Sequence, residues 1–489
     1  MDLVNAETCE LAPGLPISRI LTGLWQIADM EREGRALDLD AAAAAIPAYV
    51  EAGLTTFDMA DHYGSAEEIV GRARSLLKAG DSPQVLTKWV PKPGPVTRND
   101  VRAAVQTSLE RLQMERLDLL QFHAWSYPDP SYLDALFYLQ ELQAERLIRH
   151  LGLTNFDTAH LRVVLESGIE VVSNQVCFSL LDQRAAGAMS ALCLEHGIQL
   201  LAFGTLGGGL LTDRFLGRAE PIELATWSQM KYKRFLDVAG DWGALQNLLA
   251  VLDRVAQRHG VSIANVACRA ILDQPAVGGI IVGARLSESE HIADNLRVFD
   301  LTLDDEDRRE IDEALEALQP IPGDCGDEYR KPPFLTASGD LSHHLETFPE
   351  PYQPEERSDG RVRVFSGTPW EPLAGYCRAI RQGNRILVSG TTATHGDRVI
   401  GGSDPAAQTH FVIDKIEAAI VSLGGKLEDI VRTRLFIRHV DHWEPVSRAH
   451  GERFGAIQPA NTLVRADLIG DEYLVEMEAE AVVGNEAQG

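Results

Sequence analysis

The feature that most constrains the fold is a regular alternation of short apolar runs and amphipathic segments from residue 16 to residue 296. Apolar runs rich in β-branched side chains are typical of strands, and apolar positions three and four apart are typical of helices. The strand-like runs recur roughly every 30 residues, which leaves room for right-handed helical crossovers between parallel strands. Eight such strand-then-helix units predict a closed (β/α)8 barrel, an α/β fold, in preference to an open sheet.

The predicted elements have the following bounds. We expect barrel strands at 16–25, 54–58, 84–88, 117–122, 147–152, 170–175, 198–203 and 278–282. We expect helices at 38–52, 66–77, 98–112, 131–144, 157–167, 184–196, 242–259, 262–273, 287–296 and 304–318. Asp38 and Asp40 are candidate N-caps for the first of these helices.

Reactive side chains stand where several predicted strands end. Asp58, Lys88 and His123 each close a strand-like run, and Tyr63 follows Asp58 in the next loop. Because the carboxyl ends of barrel strands meet at one face, we expect these side chains to converge there. An ammonium lowers the pKa of a nearby phenol, and a carboxylate keeps that ammonium charged. Such a phenol can protonate a developing alkoxide while the imidazole holds the carbonyl oxygen, which suits reversible hydride transfer to C=O.

The composition excludes several classes of function. The chain has 489 residues, enough for two or three domains, and its net charge of −27 argues against a nucleic-acid partner. Its six cysteines form no CxxC pair, which indicates reduced thiols in a cytoplasmic protein and no metal site. The first residues lack a basic start and an apolar core, and no apolar run is long enough to span a bilayer. We therefore expect neither a signal peptide nor a membrane partner.

Three motifs in this order resemble the aldo-keto reductase superfamily. They are Asp58-x4-Tyr63-Gly64, Thr87-Lys88 and Asp118-x4-His123, and the resemblance covers residues 14–300. It implies that Asp58, Tyr63, Lys88 and His123 are the catalytic tetrad. Tyr63 would be the general acid/base, Lys88 and Asp58 would tune it, and His123 would orient the carbonyl.

The same resemblance implies a site for a nicotinamide coenzyme. Thr154, Asn155 and Gln175 match positions that bind the nicotinamide amide, and Phe203 matches an aromatic residue that stacks on the ring. The remaining matches are Gly204, Thr205, Leu206 and Gly207 in the loop over the pyrophosphate, and Gly283, Arg285 and Asn295 at the adenosine-phosphate end. A helix starting near Ser287 is expected to offer free N–H groups to phosphate.

Two further features concern specificity. His291 stands where many NADP-dependent relatives have an arginine, which leaves Arg285 to meet a 2′-phosphate. We therefore expect NADP(H), with NAD(H) as the alternative. Trp25, Trp89 and Trp125 lie just past strand ends and are candidate walls of the substrate pocket, with packing as the equal alternative.

The character of the sequence changes after the last barrel helix. A turn-rich stretch from Gln319 is expected to fold over the barrel, and a Pro-rich, acidic segment without periodicity follows it. We predict a barrel domain at 1–345, a linker at 346–362 and a smaller α+β domain at 363–489. In this last part we expect strands at 386–390, 430–437, 461–466 and 474–483 and helices at 409–423 and 443–454.

The C-terminal part resembles the RidA/YjgF family of small trimeric proteins. The matching stretches are 383–390, 408–409, 431–437, 459–464 and 474–479. Members that hydrolyse imines and enamines carry an arginine where this chain has Asn461, so the carboxylate clamp of that chemistry is missing. Arg465, two residue pairs along the same strand face, is a candidate substitute. Glu476 matches a pocket acid of the family, with a solvated or interface carboxylate as the alternative.

Together these observations predict an NAD(P)(H)-dependent oxidoreductase that interconverts an aldehyde or ketone, or a sugar, with its alcohol. The small-molecule substrate itself is not indicated. The C-terminal domain is expected to handle imines or enamines or to assemble a homo-oligomer, a trimer in the family it resembles. Two alternatives stay open: the C-terminal domain is only a trimerising hub, or the barrel is a non-catalytic sensor subunit.

Overall fold

The computed structural model describes residues 6–32, 34, 36–224, 226–330 and 349–484. Eight parallel strands form a closed barrel in the order β10-β3-β4-β5-β6-β7-β8-β9, preceded by a β1–β2 hairpin. The strands are β1 Thr8–Ala12, β2 Leu15–Ser18, β3 Ile20–Gly23, β4 Thr56–Asp58, β5 Gln84–Trp89, β6 Leu117–Phe122, β7 Ile148–Thr154, β8 Ser173–Cys177, β9 Gln199–Phe203 and β10 Val277–Gly283. The predicted (β/α)8 barrel is confirmed.

Helices cover the outside of the barrel and continue beyond it. They are α1 Trp25–Arg32, α2 Leu39–Glu51, α3 Ala66–Ala73, α4 Arg98–Leu112, α5 Ser131–Ala144, α6 Thr158–Glu166, α7 Ala188–His196, α8 Trp227–Ala239, α9 Trp242–His259, α10 Ile263–Leu272, α11 Ile292–Leu296, α12 Asp305–Leu315 and α13 Asp327–Arg330. Their starts follow local chemistry: Asp38 caps α2, and Thr97 and Ser262 form capping boxes with α4 and α10.

The hairpin closes the bottom of the barrel, at the amino ends of its strands. Leu11, Leu15 and Ile17 of the hairpin pack with Leu86 and Leu201 from inside the barrel, and all five side chains are buried. The apolar plug leaves the opposite end, where the strands finish, as the open face that can hold a site.

Three differences from the sequence-based expectation concern this open face. The run 16–25 is two strands rather than one, and Trp25 begins a helix. Helix α8 lies in a stretch for which no element was predicted. The helix predicted at 287–296 begins only at Ile292, because Ser287 adopts φ 68° and a bridge joins Arg285 to Ser289. The prediction of free helical N–H groups at Ser287 is therefore wrong.

The C-terminal region forms a seven-stranded mixed sheet in the order β11-β12-β13-β14-β19-β17-β18. Its strands are β11 Glu355–Glu356, β12 Val362–Val364, β13 Ala379–Gln382, β14 Arg385–Thr392, β17 Ile430–Ile437, β18 Ala460–Arg465 and β19 Val475–Val482, and a separate ribbon contains β15 Thr394–His395 and β16 Arg398–Val399. The helices are α14 Trp370–Ala374, α15 Pro405–Val421 and α16 Trp443–Phe454. The smaller α+β region expected after the barrel is thus present.

The predicted linker at 346–362 is only partly covered by the described residues. Residues 331–348, which include the start of the predicted linker and most of the extension expected over the barrel, lie outside the described residues. Strand β11 falls within the predicted linker and already pairs with β12 of the second sheet.

The barrel and the C-terminal region meet through α6 and α15. His160 of α6 lies between two carboxylates, with Nδ1 2.7 Å from Asp157 Oδ1 and Nε2 2.9 Å from Asp414 Oδ2 of α15. Arg453 Nη1 donates to the other oxygen of Asp414 at 2.6 Å, and the Tyr127 ring stacks on His160 at 3.4 Å. His160, the two carboxylates and the Arg453 guanidinium thus form a buried charge network that joins the barrel to the C-terminal region.

Candidate active site

The base of the open face is a buried ion pair between the ends of β4 and β5. Lys88 Nζ donates to both carboxylate oxygens of Asp58, at 2.8 and 2.7 Å, and to the Met59 carbonyl oxygen at 2.9 Å. Both side chains are at most 5% exposed. Desolvation by this burial lowers the pKa of Lys88, and the charge of Asp58 opposes that shift. The carboxylate therefore favours the charged ammonium at a position where burial alone would discharge it.

Tyr63 lies directly beside this ammonium. Lys88 Nζ is 5.0 Å from the centroid of the Tyr63 ring, and a turn in which the Tyr63 amide donates to the Ala60 carbonyl oxygen positions the residue. The Trp25 ring packs edge-on against the phenol with a centroid distance of 4.9 Å. The structure thus brings Asp58, Tyr63 and Lys88 together, as the strand-end pattern predicted.

His123 completes the group from the end of β6. Its Nδ1 lies 3.3 Å from the Thr154 carbonyl oxygen, which is long for a hydrogen bond, and its ring packs edge-on against Trp125 at 4.3 Å. A carbonyl oxygen can only accept, so this contact places a proton on Nδ1. Nε2 then accepts from an alcohol when the ring is neutral and donates to a carbonyl when it is protonated.

Two buried glutamines bind the same carboxylate. Gln175 Nε2 donates to Asp58 Oδ1 at 2.7 Å and to Gln121 Oε1 at 3.0 Å, while Gln121 Nε2 donates to Asp58 Oδ1 at 3.3 Å. Gln175, which the resemblance placed at the nicotinamide amide, therefore also fixes Asp58. Gln121 was not predicted as a site residue, because a single polar residue within an apolar strand does not by itself indicate a functional role.

Above these residues opens a cavity of about 900 Å3. Asp58, Tyr63, Lys88 and His123 line it, together with most of the predicted coenzyme positions. These lining positions are Thr154, Asn155, Gln175, Phe203, Gly204, Thr205, Leu206, Gly283, Arg285 and Asn295. Gly207 of the same loop is buried and is not among the residues that line the cavity. Of the three tryptophans, Trp25 and Trp125 line the cavity, whereas Trp89 is buried with its ring 5.6 Å from that of Phe122.

The end of β7 fits the amide of a nicotinamide. Asn155 adopts φ 60°, a left-handed conformation that asparagine tolerates, and its backbone amide donates to the Gln175 carbonyl oxygen at 2.8 Å. Its side-chain Oδ1 is buried without a hydrogen-bond partner among the described residues. A buried acceptor left in this state costs free energy, and an amide N–H of a ligand would satisfy it. The Thr154 hydroxyl is already bonded, since it donates to the Gln175 carbonyl oxygen at 3.2 Å.

The glycine loop after β9 is shaped by α8. Gly204 has φ 70°, and a Cβ there would lie 2.3 Å from the Tyr232 hydroxyl; a Cβ on Gly208 would lie 2.7 Å from the Ser228 carbonyl oxygen. Glycine is therefore required by close helix packing as well as by backbone conformation. The loop and α8 together form one wall of the cavity.

The far end of the cavity contains charges of both signs. Arg285 is about one-third exposed and lies 4.0 Å from Glu288, and His291 and Asp294 line the same end.

His62, the neighbour of Tyr63, also lines the cavity and pairs with Asp61 at 2.8 Å. Among the described residues no group of acidic, histidine or cysteine side chains is arranged to hold a metal ion.

Several cavity residues were not predicted from the sequence, and two of them, Lys231 and Tyr329, contact each other. Lys231 comes from α8, and Tyr329 from α13, a short helix just after the barrel. Lys231 Nζ donates to the Tyr329 hydroxyl at 2.6 Å, and the Tyr329 ring lies 5.6 Å from the His123 ring. Polar residues at buried positions of α8 obscure its helical period, and α13 is too short to show one.

In the C-terminal region two of the three predicted polar positions are exposed and the third is half-buried. Asn461 is exposed, and its Nδ2 donates to the Thr433 hydroxyl at 2.9 Å, next to His450. Arg465 is exposed on the same strand. Burial raises the pKa of Glu476, whose carboxylate lies against Gly390.

The closed barrel and the pocket at its open face define a class of protein, the oxidoreductases that use a nicotinamide coenzyme. The profile described as "Aldo/keto reductase family" matches residues 19–316, and the chain belongs to this family, whose members are NAD(P)-dependent oxidoreductases. The profile described as "Endoribonuclease L-PSP" matches residues 368–483. Both resemblances read from the sequence are confirmed.

Individual relatives match one region or the other. The aldo-keto reductase YhdN of Bacillus subtilis is 28% identical over 338 residues, which cover 65% of this chain and 96% of the relative. An uncharacterised protein of Streptomyces coelicolor is 40% identical over 128 residues, covering 26% of this chain and 96% of its own length. The structure of a glycerol dehydrogenase from Gluconobacter oxydans superimposes with a TM-score of 0.53 at 25% identity, covering 66% of this chain and 98% of that structure.

No helix in the described part of the chain combines the length and the apolar composition that crossing a bilayer requires.

Proposed function

We propose that the barrel interconverts an aldehyde or ketone, or a sugar, with the corresponding alcohol, and that Tyr63 is the general acid/base. The observation that carries the proposal is the Lys88 ammonium, held by Asp58 at 2.7 Å and lying 5.0 Å from the Tyr63 ring at the base of the cavity. A phenol beside a buried, paired ammonium is stabilised as its phenolate. Tyr63 can therefore give up its proton during reduction and take it back during oxidation.

In the reductive direction each residue has one task. A nicotinamide coenzyme bound in the cavity would supply the hydride that the carbonyl carbon receives. His123 binds the carbonyl oxygen and orients it, and Tyr63 donates its phenolic proton to the alkoxide as charge develops on that oxygen. Lys88 stabilises the phenolate that remains, Asp58 holds Lys88, and Gln121 and Gln175 hold Asp58.

The coenzyme is proposed to lie along the wall from Asn155 to Arg285. The unsatisfied Oδ1 of Asn155 would accept from the nicotinamide amide, and Phe203 would stack on the ring. Arg285 supports NADP(H), because a guanidinium at the adenosine end suits a 2′-phosphate. NAD(H) is the alternative, since Glu288 and Asp294 bring negative charge to the same end.

The Tyr63→Phe variant tests the proposed acid. Loss of the phenolic proton should lower kcat for carbonyl reduction at least 100-fold, the usual contribution of a positioned acid. The dissociation constant of the reduced coenzyme, measured by its fluorescence, should change less than about twofold. Tyr138→Phe, a half-buried phenol of α5 away from the cavity, is the matched control. An unchanged kcat in Tyr63→Phe would remove the proposed acid.

The C-terminal region is proposed to assemble the chain into a trimer. One face of its sheet packs on α15, and the other carries partly exposed Leu387, Val464 and Val482 together with the Arg434–Glu478 ion pair. An apolar face with a polar border is the usual composition of a subunit interface. Sedimentation of the full chain should give three times the 53.6 kDa chain mass, and the Val464→Glu variant should dissociate. A monomeric wild type would reject this assembly.

Imine or enamine handling is the other proposed role of this region. The Asn461 amide, already bonded to Thr433, offers no guanidinium clamp for a substrate carboxylate, so assembly is the better-supported role. Hydrolysis of imino acids by the full chain faster than by buffer would restore the catalytic role.

A further inference from the structure

The cavity contains a second cation that the proposed proton transfer does not use. Lys231 lines the cavity from α8 and makes no ion pair within 4 Å among the described residues. Within the described part of the chain, its hydrogen-bond partner is the hydroxyl of Tyr329 at 2.6 Å. Lys88, by contrast, is neutralised by direct contact with Asp58.

Aromatic rings surround the Lys231 ammonium. Its Nζ is 4.6 Å from the Tyr329 ring centroid, 4.9 Å from that of Phe203 and 5.4 Å from that of Tyr232. Ring faces stabilise an ammonium without neutralising it. Since an ammonium has three donors and Tyr329 accepts from one, the remaining donors are available to a ligand in the cavity.

The nearest carboxylates are held by another residue. Arg184 Nη2 lies 2.7 Å from Asp182 and 3.0 Å from Glu328, and all three side chains are buried and are not among the residues that line the cavity. This trio has one net negative charge, which favours the charged form of Lys231, whereas burial of Lys231 lowers its pKa. An oxyanion in direct contact with Lys231 would give the buried ammonium the charged hydrogen-bond partner that Asp182 and Glu328, which contact Arg184 instead, do not provide.

Lys231 lies near the place where the reacting carbonyl is proposed to bind, so its ligand is expected to be part of the substrate. Tyr329 connects it to His123, whose ring is 5.6 Å from that of Tyr329, and His123 is the residue proposed to hold the reacting carbonyl. Resting on the proposed function, we propose that the Lys231 ammonium and the Tyr329 hydroxyl form a subsite for a carboxylate. The substrate is then a short aldehyde or ketone acid whose carboxylate lies a few carbons from the carbonyl. Both groups act as hydrogen-bond donors, and the ammonium adds the charge that makes such bonds strong.

The test compares an acid with its own ester. Succinic semialdehyde and methyl 4-oxobutanoate present the same aldehyde with and without the negative charge. For the full-length wild type, kcat/KM should favour the acid by about tenfold or more, the usual discrimination from one charged hydrogen-bonded contact. Lys231→Gln should remove that preference by raising KM for the acid, and kcat/KM for the ester should stay within about threefold.

Two further variants make the result specific. Lys233→Gln removes a lysine of the same helix that pairs outside the cavity with Glu220 at 2.7 Å, and it should keep the acid preference. Tyr329→Phe keeps the ring but loses one donor, so the preference should fall several-fold even if Lys231→Gln folds poorly. An equal loss on acid and ester in Lys231→Gln, or an acid preference that survives it, would overturn the carboxylate subsite.

Binding measurements separate this proposal from the reductase proposal and from a coenzyme contact. Calorimetric titration of succinate into the coenzyme-saturated protein needs no turnover, and Lys231→Gln should weaken it about tenfold. If the wild type reduces no aldehyde, ketone or sugar but binds succinate through Lys231, the reductase proposal fails and the subsite stands. If Lys231→Gln instead weakens coenzyme binding tenfold and leaves succinate binding unchanged, the anion belongs to the coenzyme and the subsite is rejected.

Discussion

The buried charge network between α6 and α15 gives the sharpest prediction for stability. His160 is 3% exposed between Asp157 and Asp414, and these two carboxylates raise the pKa of His160 to about 9 although burial alone would lower it. An unfolded histidine titrates near 6.5. The pKa difference corresponds to about 3 kcal/mol of folding free energy, at 1.36 kcal/mol per pH unit.

The sign of this effect follows from the raised pKa. The folded protein binds the His160 proton more tightly than the unfolded chain, so the stabilisation is complete below pH 6.5 and disappears as the pH rises through 9. Lys415 titrates in the opposite sense, because burial lowers its pKa to about 7 and its folded form gains stability as the pH rises. The pH dependence must therefore be compared between two variants rather than read from one protein.

The perturbation is His160→Gln in the full chain. Urea unfolding at pH 6.5, 8 and 9.5 should show the variant less stable than the wild type, by an amount that shrinks by about 3 kcal/mol over this range. The titration of Lys415 is common to both proteins and cancels in the difference.

The control is Glu452→Gln, which removes a carboxylate that lies 3.3 Å from His410. The Glu452 side chain is 64% exposed, so water screens its charge and its loss should cost at most about 1 kcal/mol. A wild-type-minus-His160→Gln difference that stays constant between pH 6.5 and 9.5 would refute the assignment of the proton to this network.

The remaining predictions concern the cavity. Lys88→Met should lower kcat for carbonyl reduction by at least about 100-fold while coenzyme fluorescence shows unchanged binding, because the phenolate of Tyr63 loses its cation; a kcat within threefold of the wild type would contradict the role of Lys88. Asn155→Gly keeps the backbone at φ 60° but removes the unsatisfied acceptor, so the coenzyme Kd measured by fluorescence should rise about tenfold; an unchanged Kd would place the nicotinamide amide elsewhere. Gly204→Ala should lower Tm more than Gly197→Ala, since both have positive φ but only the first Cβ meets Tyr232, at 2.3 Å; equal losses of Tm would exclude steric packing as the reason for Gly204.

Much of the barrel could be predicted because its strands are buried on both faces and its helices are amphipathic, so each element leaves a period in the sequence. The strand ends that carry Asp58, Lys88 and His123 could be predicted from the same pattern. The wall of the cavity that α8 forms could not be predicted in this way. Helix α8 buries the polar residues Ser228 and Gln229 near its start, and Ser228 and Tyr232 pack against the glycine loop. These polar buried positions interrupt the hydrophobic period by which a helix is recognised in a sequence.

Other residues depend on contacts that are distant in the chain. Gln121 and Gln175 are recognisable only by their shared bonds to Asp58, and Tyr329 only by its position against His123. The sequence around Ser287 favours the start of a helix. In the structure the bridge between Arg285 and Ser289 holds Ser287 at φ 68°, and this conformation prevents a helix from starting there.

Transfer of isotope from the coenzyme tests the central claim most directly. The full chain is incubated with an aldehyde and with NADPH or NADH carrying deuterium at both C4 positions, and the alcohol is analysed by mass spectrometry. The account predicts one deuterium on the former carbonyl carbon with the wild type and no alcohol above background with Tyr63→Phe. Alcohol without deuterium, or equal labelled product from both proteins, would contradict it.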